Sequence, residues 1–125
     1  MSERRSYSQH CGLARALDVV GERWTLLVVR DLLLGPRRYG DLLGSLQGIT
    51  TNLLAKRLRE LTAAGLLEKR KLSPPASGEV YALTEAGLEL EPVVMELARW
   101  GGRLLAHPRR GDRMDIGWAL LSMKR

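Results

Sequence analysis

The chain has 125 residues, 45% hydrophobic and 27% charged, with a formal net charge of +6. That balance suits one globular domain burying about two-thirds of its unfolded surface and excludes a disordered polyelectrolyte. No run of about 18 uninterrupted apolar residues offers a membrane span, and the single cysteine, Cys11, excludes an internal disulfide framework.

Residues 1–10, MSERRSYSQH, form a polar N-terminal arm without the apolar core of a signal peptide, so a cytoplasmic location and no membrane partner are expected. A first helix is predicted over Gly12–Val20, where Leu13, Leu17 and Val20 make a short apolar stripe that Gly21 interrupts. The second, Glu22–Leu34, carries Trp24, Leu26, Leu27, Val28, Val29, Leu32 and Leu33. A helix apolar around so much of its circumference is the central, buried one. Gly35-Pro36 ends it, because proline cannot continue the hydrogen-bond ladder.

A third helix, Tyr39–Leu46, turns Leu42, Leu43 and Leu46 inward. Gln47-Gly48-Ile49 makes a tight turn, and Thr50 N-caps a fourth helix that runs to Ala64 and stops at Gly65. Leu66–Leu72 and Glu79–Leu83, joined by Ser73-Pro74-Pro75-Ala76-Ser77-Gly78, read as a β-hairpin. Thr84 caps a last helix from Glu85 to Leu105, with a seam of Leu88, Val93 or Val94, Leu97, Trp100 or Gly101, and Leu104. Pro92 should kink that helix or split off its first turns. The domain thus spans 11–105. Residues 106–125 are a linker and an apolar tail carrying Trp118, Leu120 and Leu121. Three fates stay open for that tail: packing on its own domain, packing on a second chain, or opening a further domain.

The charge is localised. Residues 50–72 hold six Lys/Arg against two Asp/Glu, whereas 73–125 hold seven of each. A basic patch of this kind attracts phosphates or anionic lipid, or is simply a solvated face. On the fourth helix Leu54, Leu58 and Leu61 fall at i, i+4 and i+7 and form one buried seam. At about 100° per residue, Asn52, Lys56, Arg59 and Ala63 cluster on the opposite face.

Helix, tight turn, helix, hairpin is the order of a winged helix-turn-helix, whose second helix enters the DNA major groove. The Asn52 amide suits the adenine N7/N6 edge, and Lys56 suits guanine or a phosphate. Thr50 and Thr51 stand where a helix N-terminus favours phosphate. Any surface helix has a polar face. Here the turn, the N-cap and the basic stretch Glu68-Lys69-Arg70-Lys71 on the hairpin raise this one above that reading.

The chain resembles the HxlR-type branch of bacterial winged-helix regulators, related in shape to the MarR-type proteins. The resemblance rests on Cys11, on Leu17-Asp18-Val19-Val20-Gly21-Glu22-Arg23-Trp24 and on Leu32-Leu33-Leu34-Gly35-Pro36-Arg37-Arg38-Tyr39. It continues through Gly48-Ile49-Thr50, Leu58-Arg59-Glu60-Leu61, Gly65-Leu66-Leu67, Tyr81-Ala82-Leu83-Thr84, Gly87 and Trp100. It implies a mainly α fold with a small hairpin, dimerised through its N- and C-terminal helices. It further implies a homodimeric repressor binding double-stranded DNA at a pseudo-palindromic operator.

The DNA contacts so implied map to Thr50, Thr51, Asn52, Lys56, Arg59 and Arg38, with Lys69, Arg70 and Lys71 of the wing. The wing departs from the family pattern at Gly78-Glu79-Val80-Tyr81, which places its phosphate contacts on those three cations and leaves the hairpin register open. The implied dimer interface maps to Leu13, Leu17, Leu97, Trp100, Leu104 and Leu105.

Cys11 stands where some relatives carry a redox-sensing thiol. Arg15 lies one helical turn on, and a helix N-terminus is adjacent. The alternative is a buried, inert thiol. A small-molecule or redox effector of unknown identity is therefore a further expected partner.

His10, Cys11 and His107 are the soft ligands besides four methionines, and their spacing matches no zinc pattern, so no metal and no cofactor is expected. No catalytic constellation, phosphate-cradling glycine loop or Walker sequence is present, and the enzyme class has nothing to stand on. Trp24, Trp100 and Trp118 are read as core or interface residues. The competing classes are a winged-helix module that binds protein instead of DNA, and the DNA-binding part of a larger ligand-responsive regulator.

Overall fold

A computed structural model describes residues 5–106, 109–115, 117, 118 and 121. Within them the order is α1 (Gly12–Val20), α2 (Thr25–Leu33), α3 (Tyr39–Ser45), α4 (Thr51–Ala63), β1 (Leu67–Lys71), β2 (Glu79–Leu83), α5 (Glu85–Leu88) and α6 (Glu91–Gly101). A 3-10 turn over Gly102–Ala106 follows. His107, Leu120 and the first four residues of the N-terminal arm lie outside the described residues.

The core gathers on α2. Val28 and Val29 are fully buried, and Leu32, Leu42, Leu46, Leu54, Leu58 and Leu61 close around them. Each buried leucine or valine contributes about 1.5–3 kcal/mol by leaving water, so the Leu54 seam alone fixes which face of α4 turns outward. β1 and β2 pair antiparallel from Leu67↔Leu83 to Lys71↔Glu79, a regular register despite the altered wing sequence. Arg37 adds a third, one-residue rung by exchanging backbone hydrogen bonds with Tyr81 at 3.0 and 2.7 Å. α2 packs on β2, α3 and α6, while α4 packs on β1.

Two predicted helices need correction. The second begins at Thr25 instead of Glu22, because Trp24 sits at φ 80° as its N-cap and breaks the ladder before it. The indole so placed lies against Gly48, where φ is +103° in the turn between α3 and α4, a conformation suited to glycine. The last helix is three pieces. Thr84 caps the single turn of α5, accepting from Gly87 N–H at 3.1 Å. α6 restarts with Pro92 in its first turn, where the missing N–H costs nothing, and the chain tightens into the 3-10 turn after Gly101.

Of the predicted last-helix seam, Val94 packs against the core, while Leu88, Val93, Leu97, Trp100 and Leu104 remain exposed. Of the tail, Trp118 lies back on this same domain, half-buried, and Leu121 is buried.

Candidate nucleic-acid interface

The site is built on the N-terminal half of α4. Thr50 supplies the cap its sequence predicts, its Oγ1 accepting from Leu53 N–H at 3.1 Å. The start of α4 is also tied to the start of α3, since the Tyr39 hydroxyl donates to the Thr51 carbonyl at 2.6 Å. With Leu54 0%, Leu58 2% and Leu61 1% exposed, the helix cannot roll. Thr50, Thr51, Asn52 and Arg59 are then exposed, with Lys56 half-buried between them. Asn52 and Arg59 are seven residues apart, about 10 Å along the axis.

The basic count of this region overstates what is presented. Arg57 is buried at 8% exposure and faces inward, donating from Nε to the Arg23 carbonyl at 2.8 Å and from Nη1 to Glu60 Oε1 at 3.0 Å. It pins α4 to the segment entering α2 and is not part of the outward face. On the wing, Arg70 pairs with Glu68 at 2.7 Å and Lys69 with Glu79 at 3.8 Å, all four close to half-exposed. Lys71, Arg38 and Arg59 form no ion pair among the described residues.

Helix and wing do converge. Arg59 and Lys69 line one open cleft between α4 and the hairpin, with Ala55, Leu58, Thr62, Ala63 and Tyr81 as its other walls. The Lys69 ammonium lies 5.7 Å from the centre of the Tyr81 ring. Arg38, the N-cap residue of α3, extends its guanidinium to Gly78, so it sits on the hairpin side of the site. Arg59 and Lys69 thus share the α4–wing cleft and Arg38 reaches Gly78 of the hairpin loop, while Thr50, Thr51 and Asn52 are exposed at the start of α4 and Arg70 and Lys71 on β1.

The other predicted residues lie elsewhere. Leu13, Leu17, Leu97, Trp100, Leu104 and Leu105 are all exposed, from 39% at Leu17 to 75% at Leu105, and α6 has no buried residue at all. Cys11 is exposed at the N-cap of α1, which corrects the reading of it as a buried thiol. Arg15 donates from Nε to the Gln9 carbonyl at 3.0 Å. The polar arm is held against α1, Ser6 and Tyr7 both bonding the Asp18 carboxylate at 3.0 Å. His10 is exposed as well.

Sequence reasoning missed three residues that hold the site: Tyr39, Arg57 and Arg37. Only Arg57 left a signal, because its position falls on the leucine side of α4 and a lone arginine there needs buried partners.

Residues 19–108 match the family described as HxlR-like helix-turn-helix. The chain is 42% identical over 96 residues to Rv3095 of Mycobacterium tuberculosis, an uncharacterized HTH-type transcriptional regulator, covering 77% of this chain and 60% of that protein. It thus spans about three-fifths of that relative's length. It is 36% identical to YkvN of Bacillus subtilis, likewise an uncharacterized HTH-type transcriptional regulator, covering 74% of this chain and 78% of that one. Among solved structures it superposes on PA1607 with a TM-score of 0.72 and 33% identity, over 86% of this chain and 75% of the other. On the oxidized form of the redox regulator HypR the TM-score is 0.68 and the identity 30%, over 74% of this chain and 96% of that one.

Proposed function

The chain belongs to the HxlR-like helix-turn-helix family, and from that premise we propose that it is a transcriptional regulator binding double-stranded DNA as a homodimer. The observation that carries this is the outward face of α4: an amide, an ammonium and a guanidinium held on a helix whose leucine seam forbids rotation. Asn52, Lys56 and Arg59 span about 10 Å along the helix axis, and a major groove about 12 Å wide admits an α-helix of this diameter. Thr50 and Thr51 meet a phosphate at the helix N-terminus, where free N–H groups and the helix dipole favour an anion. Arg38 and Lys71 take neighbouring phosphates, and Lys69 and Arg70 exchange their exposed carboxylates for phosphate when the wing lies along the backbone.

The second copy is supported by the apolar face left open on α1, α6 and the 3-10 turn. Exposed apolar side chains in such number mark an association site. A two-fold axis there would set two α4 helices about one DNA turn, some 34 Å, apart and read a pseudo-palindrome. Where such an operator overlaps a promoter, occupancy represses. The described residues include no helix long and apolar enough to cross a membrane, and the protein works in the cytoplasm, where its DNA lies.

Selection of bound sequences from a random duplex pool tests the reading. A two-fold-symmetric motif with half-sites one turn apart is expected. Recovery of sequences no different from the input pool would sink it and favour the protein-binding module.

Cys11 supports a narrower proposal, that an oxidant is the effector. Its thiol is exposed at the start of α1, next to the Leu13 and Leu17 face of the proposed dimer. Peroxide or diamide should then change the DNA affinity of the parent and leave Cys11→Ser unmoved; identical responses from both would end the idea.

A further inference from the structure

The C-terminal tail lies beyond the family match, which stops at residue 108, yet Arg113, Gly117 and Trp118 touch α2, its C-terminal end and α3. The Arg30 guanidinium lies over the Trp118 ring, 3.9 Å from the ring centre. Trp118 Nε1–H donates to Asp31 Oδ1 at 3.1 Å. Asp31 is only 2% exposed, and its carboxylate also accepts from Ser45 Oγ at 2.6 Å and Arg30 Nε at 2.9 Å. Arg113 Nη1 donates to the Gly44 carbonyl at 3.2 Å. Leu121 is 5% exposed. Gly117 packs closely on Leu34: a Cβ there would stand 2.9 Å from both Leu34 Cδ1 and Asp115 Oδ1, so a larger residue must push those side-chain ends aside.

Two of these contacts converge on one place. Gly44 and Ser45 are the last residues of α3, directly before the turn that leads into α4. Across that turn the Ile49 N–H bonds the Leu46 carbonyl at 3.0 Å. Holding the end of α3 therefore holds the origin of α4.

We propose that the tail segment bearing Arg113, Gly117, Trp118 and Leu121 is a strap that positions the recognition helix, with Trp118 as its anchor and no contact of its own with DNA. This rests on the DNA-binding reading given above. Trp118, Asp31 and Ser45 form a chain of hydrogen bonds around a buried carboxylate, and such a network fixes one arrangement when every donor is in place. Without the indole N–H, Asp31 loses one of its three side-chain donors among the described residues and the end of α3 can drift. The fraction of molecules with α4 set for the groove falls, and the apparent Kd rises in inverse proportion.

Full-length Trp118→Phe and Gly117→Val test this. The first keeps an aromatic ring beside Arg30 while removing the indole N–H and the second ring that carries it; the second variant removes no contact of the domain and changes no charge. Both should raise the Kd for the selected duplex about three- to tenfold while leaving non-specific binding nearly unchanged. Both should also speed hydrogen exchange of the 46–49 amides above that of the β1–β2 amides. Faster exchange with unchanged selective affinity, or unchanged exchange at 46–49 in both variants, would overturn the strap. If the parent binds no duplex selectively while the exchange effect persists, the DNA-binding reading falls and the hold on the turn remains.

Discussion

Arg57 and Arg59 lie on the same helix, about 200° apart around its axis; the structure buries the first and exposes the second, and the proposed function gives only the second a DNA contact. Arg57→Ala removes the bond to the Arg23 carbonyl and the pair with Glu60, whose side chains are 10% and 14% exposed. Breaking a buried pair from one side costs about 3–5 kcal/mol because it strands the other charge. Glu60 keeps enough access to water to place this case at the low end, about 3 kcal/mol.

For a domain of this size each kcal/mol moves the midpoint by about 3–5 °C, so Tm should fall by about 10–15 °C. Arg59→Ala, on an exposed side chain with no ion pair among the described residues, should stay within about 0.5 kcal/mol of the parent. The order reverses for DNA affinity measured by anisotropy well below both midpoints: Arg59→Ala weakens binding and Arg57→Ala does not. Combining Arg57→Ala with Glu60→Gln should cost less than the two changes added, as for any contacting pair. The assignment is refuted if Arg57→Ala melts within about 2 °C of the parent and loses DNA affinity as Arg59→Ala does.

Other consequences can be checked on the same protein. Tyr39→Phe, which deletes the 2.6 Å bond to the Thr51 carbonyl, should cost about 0.5–1.5 kcal/mol in urea unfolding, and Thr50→Ala about 1 kcal/mol through the lost N-cap. Values near zero for both would mean the start of α4 is not held as described. Trp100→Glu, placed in the exposed apolar face of α6, should give monomers by sedimentation at concentrations where the parent is dimeric, with an unchanged circular dichroism spectrum; a dimer that survives it rules out that face. Three to five cations per protomer reach phosphate in the proposed complex, so log affinity against log salt should fall with a slope of about −5 to −9 for the dimer. A slope shallower than about −2 would contradict the phosphate contacts.

What the sequence disclosed and what it concealed divide by range. The Leu54 seam, the Thr50 cap, the Gly35-Pro36 stop and the break at Pro92 are local patterns, and each stands in the structure. The outward set Asn52, Lys56 and Arg59 followed from the same arithmetic of 100° per residue. The concealed features depend on partners far along the chain. Arg57 bonds a carbonyl 34 residues away, and Trp118 a carboxylate 87 residues away. Arg37 joins the sheet only because Tyr81 arrives beside it. Trp24 looks helical by its neighbours but takes a left-handed backbone, with its indole placed against Gly48. Charge counting misjudged the region for the same reason, since a buried pair and two exposed pairs are invisible until the chain folds.

The measurement that bears most directly on the central claim is base preference along the selected duplex for the parent and for Asn52→Ala. If α4 lies in the major groove with Asn52 on a base edge, the variant loses discrimination at one position in each half-site, by about 1–3 kcal/mol, and keeps it elsewhere. If Asn52→Ala retains the parent's preference at every position, α4 is not the reading helix and the account is wrong.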